Sequence, residues 1–195
     1  RLDPKTSGGL FFMEPCHEVD IFRMLLGEIT HAQSFKFPNT LPQYEPEMPD
    51  NVTSHFFFAN GAHGIISTSH ALSVSKAKAE DYPDQGHDMV YVFYGTKGAM
   101  RFDCINGHLL VTKQEPYPAG RKGVQIVFDR IEKLHEVTKG HSSIETNRQG
   151  FIKACAEGRD HQQTAEDAWR THRVCLAAEK SALNGFRKVK VDYSL

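Results

Sequence analysis

The chain has 195 residues, of which 39% are hydrophobic, and a formal net charge of -1. This composition can bury a core, which excludes a disordered protein, and 23 basic against 24 acidic residues do not favour nucleic-acid binding. Four widely spaced cysteines without a C-x-x-C pair predict free thiols in a reducing compartment. No apolar run approaches the roughly 18 residues that span a bilayer. We therefore expect a cytoplasmic protein that binds neither nucleic acid nor membranes.

The first predicted element is a helix that begins near Pro15 and ends at Gly27. Proline suits a first helical turn because its missing N–H would have no intrahelical partner, and glycine is typical of a left-handed helix end. Apolar residues recur between them at three- and four-residue spacing: Val19, Phe22, Leu25 and Leu26. The spacing predicts an amphipathic helix with one buried face.

Short strands separated by turn residues follow the helix. The predicted strands are Ile29–Phe37, Val52–Phe58, Gly64–Leu72, Met89–Tyr94, Ala99–Cys104, His108–Lys113 and Val124–Arg130. Asn60-Gly61 is a strong hairpin signal, because both residues tolerate the positive φ of a tight turn. Successive strands joined by such turns predict a mainly antiparallel sheet.

Two helices and a last strand complete the chain. Asn147–Ala156 is the first predicted helix, and the second starts at Thr164, which together with Asp167 resembles a capping box. Lys188–Val191 alternates as a short strand. The order predicts an α+β fold, a single domain over residues 1–195 with an open, mainly antiparallel sheet and helices on one face.

The other face of this sheet should be polar or covered by another part of the protein or by a partner. Val52 to Phe58 alternates, so Phe56 and Phe58 share one face while Phe57 lies on the opposite one. A large exposed aromatic face is unusual for a soluble monomer. We expect the open face to be a subunit interface, and a charged residue at Phe56 or Phe58 to weaken self-association.

Glu14, His17 and Asp20 are the strongest candidates for chemistry. A spacing of three places them on one stripe at the start of the first helix. An imidazole transfers protons near neutral pH, and a neighbouring carboxylate can orient its ring. Two other interpretations remain open at this point: the carboxylates cap the first turn while His17 packs under the sheet, or the triplet binds a metal.

Residues 7–27 resemble the opening of the second domain of the Gfo/Idh/MocA oxidoreductases. That opening consists of glycines, an apolar run, the pattern D-x-x-x-H-x-x-D, and an amphipathic helix ending L-x-G. Three later segments resemble family motifs in the same order: Phe57–Gly64, Gly95–Phe102 and Thr164–Ala168, which leads into the last helix.

The resemblance implies a fold like the C-terminal domain of glyceraldehyde-3-phosphate dehydrogenase, often used for dimer or tetramer contacts. It implies NAD or NADP bound by an N-terminal Rossmann domain, and hydride transfer to or from a sugar, polyol or related hydroxyl or carbonyl compound. His17 matches the histidine that assists proton transfer beside the substrate in many members.

The chain departs from the family in two places. Met13 stands where several dehydrogenases have the aspartate partner of the histidine, and Glu14 is one position away. The G-x-G-x-x-G loop and the E-K-P segment are absent, so we expect no cofactor-binding residue, no metal site and no activity of this chain alone. Met13 favours an alternative, a non-catalytic assembly module; a metal-dependent hydrolase is a further one.

Overall fold

The structure, a computed structural model, describes residues 10–13, 15–40, 49–69, 89–104, 107–118, 121–133, 136 and 143–194. In chain order the elements are α1 (Leu10–Met13), α2 (Pro15–Leu26), β1 (Ile29–Lys36), β2 (Asn51–Phe58), β3 (His63–Ser69), β4 (Val90–Gly95), β5 (Gly98–Asp103), β6 (His108–Pro116), β7 (Val124–Lys133), α3 (Ser143–Glu157), α4 (Ala165–Leu183) and β8 (Val189–Lys190). Among these residues no helix is long and apolar enough to cross a membrane.

The chain divides into two compact units. The first unit comprises residues 1–71 and 160–195, and the second comprises residues 72–159. Each unit holds a four-stranded antiparallel sheet, in the order β3-β2-β1-β8 in the first and β4-β5-β6-β7 in the second. The predicted α+β class and antiparallel pairing are confirmed, but the expected single open sheet is two sheets.

The core of the first unit lies between its sheet and two helices. α4 packs on β1, and α2 packs on α4 and β3. Phe56 and Phe58 are buried on the inner face, where the Phe22 ring of α2 lies 6.4 Å and 6.3 Å from theirs. The expectation that Phe56 and Phe58 form a subunit interface is therefore wrong: the helices cover their face, and Phe57 lies on the opposite one.

Close approach of α2 to the hairpin depends on Gly64. A Cβ at this position would lie 2.6 Å from the Phe22 ring, closer than real Cβ contacts allow. Buried serines connect the sheet to α4, since Ser34 and Ser54 share a hydrogen bond and the Ser34 N–H donates to the Ser181 hydroxyl. The helix layer is thus held on the sheet by both apolar packing and satisfied polar groups.

The end of α2 and the start of α4 follow the predicted signals. α2 stops before Gly27, which has a φ of 90°, and α4 is followed by Gly185 with a φ of 68°. The Thr164 hydroxyl accepts from the Asp167 N–H while the Asp167 carboxylate accepts from the Thr164 N–H, so the predicted capping box is confirmed.

The second unit contains the β4–β7 meander and α3. Its turn at Gly98 requires glycine, because a Cβ there would meet the Thr112 carbonyl oxygen of the next strand. Apolar side chains of β7 stay more than half exposed among the described residues: Val124, Ile126, Phe128 and Ile131.

Candidate active site

His17 is exposed in the first turn of α2. The opposite side of the helix carries the buried Val19 and Phe22, which rest against the core of the first unit. Because the apolar stripe fixes how the helix is turned, the imidazole faces solvent. This placement excludes burial of His17 under the sheet and leaves the ring accessible to a small molecule.

Asp20, one turn further along α2, contacts α4 and the segment before it. Its carboxylate oxygens accept hydrogen bonds from the Gln163 amide at 2.7 Å and from the Thr171 hydroxyl at 2.8 Å. No side chain of the described residues makes a hydrogen bond to the His17 ring. Asp20 therefore fixes the position of the helix that carries His17, and its predicted role as an orienting carboxylate would act through that helix.

Arg23 anchors the same helix from its buried side. Its guanidinium donates to the Asp167 carbonyl oxygen at 2.7 Å, to the Thr171 hydroxyl at 2.8 Å and to the Glu28 carboxylate at 2.8 Å. Partial burial acts to raise the pKa of Glu28, but the hydrogen bond and charge of Arg23 outweigh it and the pKa is lowered. The charge of Arg23 is thus paired inside the helix layer.

Sequence reasoning missed Arg23. The available signal was a charged residue four positions after Val19, on the stripe that the apolar spacing predicts to be buried. A charged residue at such a position is rarely buried unless it is paired. Its partners on α4 are 144 and 148 residues away along the chain, so no local pattern could have identified them.

Other reactive groups near the start of α2 are less suited to chemistry. The Cys16 thiol donates to the Phe12 carbonyl oxygen, and burial, followed by the charge of Glu18, raises its pKa. A raised pKa leaves little thiolate at neutral pH, which argues against a nucleophile. Phe12 stacks on His172 of α4 with ring centroids 5.4 Å apart, so a second imidazole lies beside α1.

The remaining predicted site residue, Glu14, lies outside the described residues, and its approach to His17 stays a prediction. Met13, at the family's aspartate position, is the last residue of α1. Within the ranges described, no three His, Cys, Asp or Glu side chains are arranged to hold a metal ion.

The Gly95–Gly98 turn does not have the geometry of a dinucleotide cradle. A pyrophosphate cradle needs a glycine-rich turn between a strand and a helix, so that the helix N-terminus faces the phosphates. The turn at Gly95–Gly98 instead joins two antiparallel strands, and Gly98 backs directly onto Thr112 of β6. No strand in the described ranges leads through such a turn into a helix.

A profile of the GFO/IDH/MocA C-terminal domain matches residues 1–101, just over half of the chain. The chain belongs to the Gfo/Idh/MocA family. The resemblance read from the motifs of the sequence is thereby confirmed.

Solved structures share the fold of this Gfo/Idh/MocA domain. An NAD-binding oxidoreductase from Klebsiella pneumoniae matches 99% of the chain with 16% identity and a TM-score of 0.70. Levoglucosan dehydrogenase in complex with NADH and levoglucosan matches 93%, with 21% identity and a TM-score of 0.65. The WlbA dehydrogenase from Bordetella pertussis, in complex with NADH and UDP-GlcNAcA, matches 95%, with 17% identity and a TM-score of 0.67.

The chain corresponds to about half of each of these proteins, covering 54%, 50% and 49% of their lengths. At these identities the likeness shows a common fold and no more. A search of curated protein sequences finds no match.

Proposed function

We propose that the chain is the substrate-binding and oligomerisation domain of an NAD(P)-dependent oxidoreductase that acts on a sugar, a polyol or a related hydroxyl or carbonyl compound. The observation that carries the proposal is the exposed His17, at the start of a helix fixed by Asp20 and Arg23. Its position matches the histidine of the family motif, and two of the solved relatives hold NADH together with a sugar or a sugar nucleotide.

In this proposal an N-terminal Rossmann domain of the same polypeptide holds NAD or NADP. In support, the Gly95–Gly98 turn of this chain is a hairpin and does not form a pyrophosphate cradle. The nucleotide would supply the hydride acceptor or donor. Oxidation of an alcohol also requires a proton to leave the hydroxyl oxygen. His17 accepts that proton on its free ring nitrogen, and returns it to the oxygen when a carbonyl is reduced.

Anchoring of α2 gives His17 a fixed direction. Asp20 and Arg23 both contact Thr171, so two side chains one turn apart hold the helix to the same point of α4. General acid–base catalysis requires hydrogen-bond distance between the catalytic group and the reacting oxygen. A helix free to roll on the core would lose that distance, which is why we assign Asp20 to the site although it does not touch the imidazole.

We expect His17→Ala to lower turnover about 10²–10⁴-fold in the polypeptide that includes the Rossmann domain. His172→Ala is the matched control, because His172 is also an exposed imidazole but its Nδ1 already pairs with the Ala168 carbonyl oxygen. Steady-state rates with NAD and NADP over a panel of sugars and polyols measure the effect. Equal rates for wild type and His17→Ala, or a coding sequence without a Rossmann domain before Arg1, would defeat the proposal.

In this proposal the subunit interface is the side of the first sheet that faces away from α2 and α4. Phe35, His55 and Phe57 lie there, only partly buried, and Ile65 is 54% exposed. A second copy packed on these side chains would remove them from water, giving a homodimer or tetramer.

A non-catalytic assembly module of the same family is the second candidate, and Met13 in place of the aspartate favours it. It predicts a stable oligomer without turnover on any substrate when the dinucleotide domain is present and holds NAD(P). The proposed cytoplasmic location suits both candidates, since all four cysteines are free thiols.

A further inference from the structure

The side of the first sheet that faces away from α2 and α4, called the outer face below, carries a cluster of rings. Phe57 pairs with His63 across β2 and β3, and His55 is the next outward residue along β2. The Phe57 and His63 rings stack at 5.0 Å, and the His55 and His63 rings lie 5.1 Å apart. On the other side, the Phe35 ring of β1 lies 5.8 Å from His55.

The four strands that form the outer face carry no carboxylate. The strands β1, β2, β3 and β8 contain neither Asp nor Glu. The titratable groups that these strands and the residues next to them place on this face are His31, His55, His63, Lys190 and Lys188, whose ammonium lies 3.7 Å from the centre of the Phe57 ring. Among the described residues of the four strands and Lys188, every ionisable side chain on this face is therefore a base.

With its imidazoles neutral, the centre of the outer face is uncharged and complementary to itself. Neutral imidazoles both donate and accept hydrogen bonds, and so do the Thr53 and Ser67 hydroxyls, which lie 3.1 Å apart. Lys188 and Lys190, which would attract an acidic partner, lie at the β8 edge. A second copy of the chain, related by a two-fold axis, presents the same rings, donors and acceptors to this centre.

We propose that two copies of the chain pair through the outer face and that protonation of His55 and His63 separates them. The inference rests on the self-association proposed above. It adds that the protonation state of two neighbouring imidazoles determines whether the two copies associate. When both rings carry a proton, each copy presents like charges about 5 Å apart, and the four strands supply no carboxylate to compensate them. Covering that face with an identical one would bury those charges against each other.

The environments of His55 and His31 already disfavour the charged form of each ring. Burial and the neighbouring His63 lower the pKa of His55, and burial together with Lys188 and Lys190 lowers that of His31. A second copy extends the burial, so the dimer binds fewer protons than two monomers do. Association is therefore strong at high pH and is lost as the pH falls through the imidazole pKa of the monomer.

Sedimentation equilibrium of this chain at about pH 8 and about pH 5 tests the inference. Each imidazole that must be neutral in the dimer weakens association by about tenfold or more over this range. Two such imidazoles in each copy make four per dimer, so we expect the dissociation constant to rise about 10⁴-fold, with circular dichroism confirming that the fold is unchanged. His172→Gln, which replaces an imidazole of α4 away from the outer face, should behave as wild type.

The variants His55→Gln and His63→Gln identify the groups responsible. Glutamine keeps a donor and an acceptor but does not titrate, so each single variant should reduce the slope of log Kd against pH by about two protons per dimer. A wild-type dissociation constant that does not change with pH, or an unchanged slope in both variants, overturns the inference and leaves self-association intact. A chain that is monomeric at both pH values overturns the self-association itself.

Discussion

The two sheets have the same number of strands and the same antiparallel pairing. They differ in the charged residues that their strands carry and in how far their side chains are buried. The strands of the first sheet carry no acidic residue, and helices bury their inner face. The strands of the second sheet carry both signs of charge, with exposed ion pairs such as Lys113–Glu115 and Arg130–Glu132. The comparison teaches that alternation along a strand only divides its side chains between two faces. The helices packed on one face determine which side chains are buried and contribute most to the free energy of unfolding.

Phe56→Ala is expected to have the largest effect on stability. The side chain is fully buried between β2 and α2, and removing it leaves a cavity at a cost of about 3–5 kcal/mol. Phe128→Ala is the control in the second sheet, where the ring is 65% exposed, and should cost below about 1 kcal/mol. Urea unfolding of both variants measures the difference; equal losses would show that the helix cover does not distinguish the two sheets.

Arg23→Ala is expected to have the second-largest effect on stability. It removes the partner of Thr171 and of the Asp167 carbonyl oxygen within the helix layer. We expect a loss of about 2–4 kcal/mol, at the lower end for a broken buried ion pair because the Glu28 side chain stays 42% exposed.

The matched control for Arg23 is Arg130→Ala. Arg130 makes two ion pairs on the surface of β7, with Asp129 and Glu132, and these are screened by water. Its unfolding free energy should match that of wild type. If Arg130→Ala lowers the unfolding free energy as much as Arg23→Ala does, burial does not determine what an ion pair contributes to stability. That result would contradict the proposed difference between the two sheets.

Thr164→Ala should have the smallest effect, about 1 kcal/mol, because it removes one helix cap. The Thr164 hydroxyl and N–H lower the pKa of Asp167. A carboxyl with a lowered folded pKa stabilises above its unfolded pKa of about 3.9, and that contribution disappears as pH falls through the folded value. Unfolding of wild type and variant at about pH 7 and about pH 2, below the lowered pKa of Asp167, should show the difference shrinking with acid. A difference that stays constant over this range would contradict this role of Asp167.

Local signals in the sequence predicted the elements well. Apolar spacing placed α2 between Pro15 and Gly27, and the Thr164–Asp167 pair marked the start of α4. These features depend on residues within one or two turns of each other. The family motif likewise pointed to His17 because its residues are contiguous in the chain.

Long-range choices could not be predicted in the same way. Alternation separated Phe56 and Phe58 from Phe57, but nothing local states which of the two faces the helices cover. The number of sheets depends on which strands pair, and the turns between strands do not determine this. The bond between Asp20 and Thr171 spans 151 residues, so the anchoring of the candidate site required the fold.

The pH profile of kcat/KM for alcohol oxidation by the polypeptide that includes the Rossmann domain tests the central claim most directly. If His17 accepts the hydroxyl proton, only its neutral form is active, so the wild-type rate rises with pH. His17→Ala should lack that rise, while His172→Ala should keep it. A His17→Ala enzyme that retains the same rise would contradict the assignment of proton transfer to this imidazole.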